Sequence, residues 1–215
     1  MCSEMIRIFI VILAFITSAA QAQTAVDYRL YSIFVRNFID EGLKYEIHTS
    51  KVVIITKFAP TENWASYYGK DFFESDQKTF SSSLRYDTTM IELFKHNHVK
   101  AALMRLEQQF YDTPILEEGK FDVGVEVNSM SIRQFDRYFR GISGNRIDNG
   151  WKKIYRKYPG SYGVFEFSKI IYEGEFACFY VGRRSGGLSG SGDLIICRRT
   201  SNDWVIARVV NIWMS

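Results

Sequence analysis

Four apolar runs follow one another closely in the last third of the chain, and they constrain the fold more than any other feature. They read "YGVFEFSKIIY" from Tyr162, "EFACFYVGR" from Glu175, "DLIICRR" from Asp193 and "DWVIARVVNIWM" from Asp203. Each is rich in the β-branched and aromatic residues that suit a pleated surface. The links "EGE" and "TSND" are short, and short links between consecutive strands make hairpins. The expected topology is therefore an antiparallel meander of about four strands. Its alternation is imperfect, so one face must be fully buried and the other partly covered. The helices that precede it are the expected cover. The fold class is α+β, with N-terminal helices packed on the C-terminal meander in two layers.

Those helices are legible upstream. Val26, Leu30, Ile33, Phe34 and Phe38 recur at helical spacing, and Glu41-Gly42 offers an end where glycine takes the left-handed cap position. "KVVIITKF" reads as a strand, stopped by Pro60. "DTTMIELFKH" opens a helix with Thr89 as N-cap and Glu92 at capping-box spacing. "VKAALMRLEQQF" places Val99, Ala102, Leu103 and Leu106 on one face, so that helix either continues or restarts. Part of "EEGKFDVGVEVNSM" alternates as a strand does. Ser131 and Gln134 form a second capping box, ahead of inward-facing Ile132, Phe135 and Phe139. Trp151, Ile154, Tyr155 and Tyr158 line one side of a short helix that Pro159-Gly160 ends.

The opening segment has a different character. Arg7 gives a positive flank, Ile8 to Ile16 is continuously apolar, and Ala20-Gln21-Ala22 has the small-x-small form of a processing site. Residues 1–22 read as a signal peptide. The apolar run falls short of the ~20 residues of a membrane span. Residues 23–215 then form a single α+β domain, exported to the periplasm or beyond. With 17 Phe, 13 Tyr and 4 Trp against 3 Pro, the chain has the material for a packed core and not the composition of a disordered one. A net charge of +3 does not point to nucleic acid.

The stretch "RRSGGLSGSGD", Arg183 to Asp193, joins two of the strands. It has no lysine after the glycines and no following helix, so it is neither a Walker loop nor a dinucleotide fingerprint. Ser189 has Gly187 before it but Ser191 after it, and Ser191 has neither glycine of the nucleophile elbow. What remains is a shaped hairpin loop, or an anion or partner contact formed by Arg183, Arg184, Gly186, Gly187, Ser189 and Gly190 with exposed amides. Lys152, Lys153, Arg156 and Lys157 make a basic helix face that suits an anionic surface or simply a solvated one. If the hairpin pairs symmetrically, Val181 opposes Leu194 and Cys178 opposes Cys197. The two cysteines then either form a disulfide or pack as buried thiols. Glu117, Glu118 and Asp122 read as solvated acids. His96 and His98 have no evident third ligand, so no metal site and no cofactor is expected.

Trp151, Pro159-Gly160, Phe167-Ser168-Lys169, Gly186-Gly187-Leu188, Gly190, Gly192, Trp204 and Trp213 form a pattern. Over residues 151–215 it resembles a group of small secreted bacterial proteins of unassigned function. That resemblance implies the same C-terminal hairpin architecture and an exported location. Members of the group carry cysteines beside the Gly-Gly-Leu step, where this chain has Ser185 and Ser189. Two functions fit. The first is an exported binding or interaction module without catalysis, contacting an anionic envelope component or another secreted protein. The second is a hydrolase of envelope or nutrient polymers that uses Ser189, Ser191 or the His96/His98 pair.

Overall fold

The computed structural model describes residues 25–57, 88–141, 147–187 and 189–214. The expected export signal at 1–22 lies outside them. Helix α1 covers residues 25–44. It is followed by β1 (Lys51–Ile55), α2 (Thr88–Lys95), α3 (Asn97–Gln108) and a 3-10 turn at Glu118–Lys120. Then come β2 (Glu126–Met130), α4 (Ile132–Phe139), α5 (Ile147–Lys157), β3 (Ser161–Phe167), β4 (Ile171–Glu173), β5 (Phe176–Arg184), β6 (Gly190–Arg199) and β7 (Trp204–Met214). Thr89, expected as an N-cap, lies inside α2, and His96 separates α2 from the restarted helix α3.

The fold is α+β, but its sheet is mixed. Among the described residues seven strands join one sheet in the order β2-β1-β3-β5-β6-β7, with β4 paired to β5. The run β3-β5-β6-β7 is antiparallel, but with β4 also paired to β5 it is not the simple four-stranded meander expected. Two parallel strands, β1 and β2, extend it beyond β3. The apolar run that sequence reads as one strand is split into β3 and β4 by Ser168–Ile170. Both halves pair with β5, at its opposite ends. The buried Ser168 hydroxyl makes this break possible. It accepts from the Tyr180 amide at 2.8 Å, while the Ser168 carbonyl accepts from the Tyr31 hydroxyl at 2.8 Å. The Ser168 amide donates to the Tyr180 carbonyl at 3.0 Å, so the backbone groups of both residues stay paired at the break.

Helices cover both faces of this sheet, so the domain has three layers where two were expected. On one face α1 contributes Tyr28, Leu30, Tyr31, Phe34, Val35 and Ile39 against Val52, Ile54, Phe165, Phe167, Phe179 and Ile195. On the other, α3 packs Val99, Ala102, Leu103 and Leu106 over Phe176, Cys178, Leu194 and Ile196. Beside it, α4 and α5 pack Phe135, Trp151, Ile154 and Tyr158 over Val53, Ile55 and Val164. A strand such as β5, buried on both faces over most of its length, needs cover on both sides, which one helical layer cannot supply.

Two local expectations are settled by hydrogen bonds. The Ser131–Gln134 capping box forms as read, with both reciprocal bonds present at the start of α4. The end of α1 differs: it runs past Gly42 to residue 44, and the left-handed residue is Glu46, at φ 60°. The Ile47 amide donates to the Gly42 carbonyl at 3.0 Å and the Glu46 amide to the Leu43 carbonyl at 3.1 Å. This is a Schellman closure with a glutamate in the position glycine usually takes.

Candidate functional site

The β5–β6 hairpin carries the loop singled out above, and its register is the first thing to establish. Arg184 pairs with Gly190, Val181 with Asp193, Ala177 with Cys197 and Cys178 with Ile196. The loop 185–189 therefore has an odd number of residues, where symmetric pairing of Val181 with Leu194 needs an even one. A one-residue slip moves a side chain to the other face of the sheet. Cys178 accordingly lies in the core under α3 and Cys197 in the core under α1, both free. The expected pairing is corrected: these are buried thiols that the sheet keeps apart. Burial pushes the Cys197 thiol up to about 12 and the Cys178 thiol higher still, so neither is a nucleophile at neutral pH.

The same alternation separates the two arginines. The Arg183 guanidinium lies 5.0 Å from the Phe38 ring centroid and 5.5 Å from that of Tyr162, and it donates to the Ser185 hydroxyl at 3.0 Å. Arg184 points to the opposite face, donating to Glu166 at 3.0 Å and lying 5.6 Å from the Phe135 ring centroid. Arg183 and Arg184 thus do not converge on one anion, and the charge of Arg184 is already matched. In the loop, the Ser185 amide donates to the Ser189 carbonyl at 2.8 Å and their hydroxyls meet at 3.0 Å. The Tyr155 hydroxyl donates to the Ser185 carbonyl. Asp148 and Ile147 of α5 stand where a side chain on Gly187 would go, with the Asp148 carboxylate 2.9 Å from that point. A carboxylate at the loop disfavours an anion there. Gly187 serves the fit between hairpin and helix, Ser189 closes the loop on Ser185, and a Cβ on Gly186 would meet Ser189 and one on Gly190 the Arg183 carbonyl and the Trp213 ring.

A polar centre that sequence reading missed lies on the α3 and α4 side of the sheet. Glu166, Gly182, Gly192 and Trp213 form one row across β3, β5, β6 and β7. The two glycines open a trough between the outer two side chains. A Cβ on Gly182 would stand 2.6 Å from the Glu166 carboxylate, and one on Gly192 only 2.0 Å from the Trp213 indole nitrogen. That nitrogen donates to the Tyr180 hydroxyl at 3.1 Å. Glu166 is 4% exposed. Burial raises its pKa, while the Arg184 guanidinium pulls it back. The signal in the sequence was the lone charge within "GVFEF" and the spacing of Gly182 and Gly192 to either side of the hairpin. The carboxylate is committed to Arg184, so this centre locks the sheet and offers no free acid or base.

The hydrolase candidates do not come together. His96 packs its ring 5.2 Å from that of Phe176, at the start of β5. Ser189 and Ser191 lie beyond or opposite the far end of the same strand, roughly 25 Å away at 3.3 Å per residue. Ser191 donates to Asp193 at 3.1 Å. Glu117 bonds Lys120 at 2.8 Å and Asp122 lies 3.9 Å from Arg36, both as exposed pairs. Among the described residues, no three His, Cys, Asp or Glu side chains are grouped to hold a metal ion, and no helix is long and apolar enough to cross a membrane.

The four cations of the basic face lie on the solvent side of α5. Trp151, Ile154 and Tyr158 are buried, while Lys152, Lys153, Arg156 and Lys157 are all exposed. Lys157 also lies 5.2 Å from the Tyr158 ring centroid. The helix is held by its aromatic side and presents its cations outward. No known protein family, curated protein or solved structure matches this chain.

Proposed function

We propose that the protein is an exported binding module, without catalysis, that contacts an anionic envelope component through the basic face of α5. The observation that carries this reading is the placement of Lys152, Lys153, Arg156 and Lys157. All four are exposed on a helix whose other side is anchored by Trp151 and Ile154. A rigid element presenting several cations attracts polyanions with little ordering cost. The separation of the histidines from the loop serines supports a contact role over a hydrolytic one. Export rests on the signal at 1–22 and on the resemblance over residues 151–215 to small secreted bacterial proteins.

Two measurements test the reading. N-terminal sequencing of the exported chain should begin at Gln23. The purified domain should co-sediment with protease-stripped cell envelopes and be released by about 0.5 M salt, which shortens screening to a few ångströms. The quadruple variant Lys152→Gln, Lys153→Gln, Arg156→Gln, Lys157→Gln should stay in the supernatant. Equal sedimentation of the variant would overturn the proposal.

A further inference from the structure

The basic surface is larger than one helix. Residues 132–157 contain eight Lys and Arg against two Asp, while the whole chain carries only +3. On α4, Arg133 and Arg137 are exposed, as is Arg140 at its end. They lie on the side opposite Phe135, which packs against Trp151 of α5 with ring centroids 5.8 Å apart. Gly150 sets how closely the two helices approach. A Cβ there would stand 2.5 Å from the Phe139 ring and 2.9 Å from the Tyr138 carbonyl. Lys157 lies about two turns from Gly150 along the same side of α5, so the cationic side of α5 borders α4 at the Gly150 contact. Of the two acids, Asp148 is turned to the Gly187 loop, which leaves Asp136 as the one carboxylate among seven exposed cations of the described residues.

We propose that α4 and α5 form one composite surface for a linear polyanion other than nucleic acid, bearing phosphate or carboxylate groups, with Arg133, Arg137 and Arg140 contributing alongside the α5 cations. This rests on the contact role proposed for α5 and extends it to a second helix and a class of partner. The cations lie along helices about 12 and 17 Å long at 1.5 Å per residue, a spread that a single phosphate cannot span. Four of the seven are arginines, whose planar forks pair with carboxylate and phosphate. An anionic bilayer fits less well. Its docking helices bury apolar side chains in the interface, whereas here Trp151, Phe135 and Tyr158 face the core, and among the described residues of this stretch the exposed large apolar side chain is Ile147 at 37%.

The test is the affinity of the folded domain for defined probes at fixed salt. These are long-chain polyphosphate, polygalacturonate, orthophosphate, vesicles with 30% anionic lipid, and a short DNA duplex. One or both linear polymers should bind, and orthophosphate should bind at least about 100-fold more weakly, because one phosphate releases few counterions. Arg133→Gln with Arg137→Gln should weaken the polymer about tenfold and lower the salt slope by one to two units, as loss of two charge contacts does. Asp136→Asn should tighten binding, a gain that a misfolded variant cannot mimic. Undiminished binding by the α4 double variant, with binding lost in the α5 quadruple variant, would overturn the composite surface and leave the α5 reading standing. Preference for vesicles or for the duplex would overturn the choice of partner.

Discussion

Glu166 on β3 and Arg184 on β5 meet at 3.0 Å over the glycine-lined centre of the sheet, with the carboxylate buried and the guanidinium reaching solvent. The pair is possible only because Gly182, directly across from Glu166, has no side chain to occupy the same space. This fixes how the two residues respond to substitution. Arg184→Met keeps an aliphatic side chain of similar length but leaves the carboxyl without its cation. Losing one partner of a buried pair costs more than losing both, and partial exposure of Arg184 moderates the cost to about 2 kcal/mol. Without the guanidinium the Glu166 pKa in the folded state rises further, so ionisation opposes folding more strongly and the deficit grows with pH. Urea unfolding should show a larger loss at pH 8 than at pH 5. A pH-independent loss would show that the pair is not coupled. Gly182→Ala should cost about 1–3 kcal/mol by overpacking and, because its Cβ displaces the carboxylate that pairs with Arg184, should also cost more at pH 8 than at pH 5.

The end of α1 offers a stabilising change. Glu46 holds φ at 60° to close the helix, a conformation that costs a residue with a Cβ roughly 1–2 kcal/mol and costs glycine little. Glu46 is exposed, and its shape, not its charge, serves the closure. Glu46→Gly should therefore raise the melting temperature by a few degrees, since about 1 kcal/mol moves a domain of this size by about 2–4 °C. A lower melting temperature would mean the Glu46 side chain contributes more than its strain removes.

Much of this architecture was legible because it rests on local pattern. The capping box at Ser131, the α3 face of Val99, Ala102, Leu103 and Leu106, and the strand character of the C-terminal apolar runs follow from spacing alone. What was not legible depends on pairing between distant segments. Nothing local says that β1 lies parallel to β3, or that Ser168 can replace a ladder bond and divide one apolar run into two strands. The hairpin register turned on whether the loop had an odd or even length, and that single residue sent Cys178 and Cys197 to opposite faces, whereas the neighbours Arg183 and Arg184 are separated by strand alternation alone. The basic face of α5 was readable because amphipathicity is a property of one helix. Its extension onto α4 was not, because it depends on the close approach at Gly150. Glu166 was passed over because a lone acid in a strand becomes informative only when its cross-strand neighbours are known.

The register makes a direct prediction for the cysteines. Cys178 and Cys197 sit in separate cores with thiol pKa values raised by burial. Under oxidising conditions the folded domain should retain both thiols and react with a thiol reagent only as fast as it unfolds. Denaturation without reductant should release both for titration. A mass two units lower, restored by reductant, would show a Cys178–Cys197 bond and refute the register.

Asp27 gives the domain a pH dependence of its own. It lies in the first described turn of α1 and accepts from the Tyr172 hydroxyl of β4 at 2.5 Å. Burial raises its pKa to about 6, against the opposing pull of the Tyr172 hydrogen bond and the Lys169 charge. The folded state thus holds the Asp27 proton more tightly than the unfolded chain does. The stability this contributes is complete below about pH 4 and is lost as pH rises through about 6. Asp27→Asn keeps an acceptor for Tyr172 and removes the ionisation. The difference in unfolding free energy between variant and parent should be near zero at pH 4. By pH 7.5 it should favour the variant by about 1–2 kcal/mol, allowing for partial exposure of the carboxyl. Comparing the two proteins cancels the other titrating groups, such as Glu166, that they share. A difference that stays constant from pH 4 to 7.5 would mean that the folded protein does not perturb Asp27. A variant that becomes the less stable one with rising pH would mean that ionised Asp27 gains more from Tyr172 and Lys169 than burial takes away.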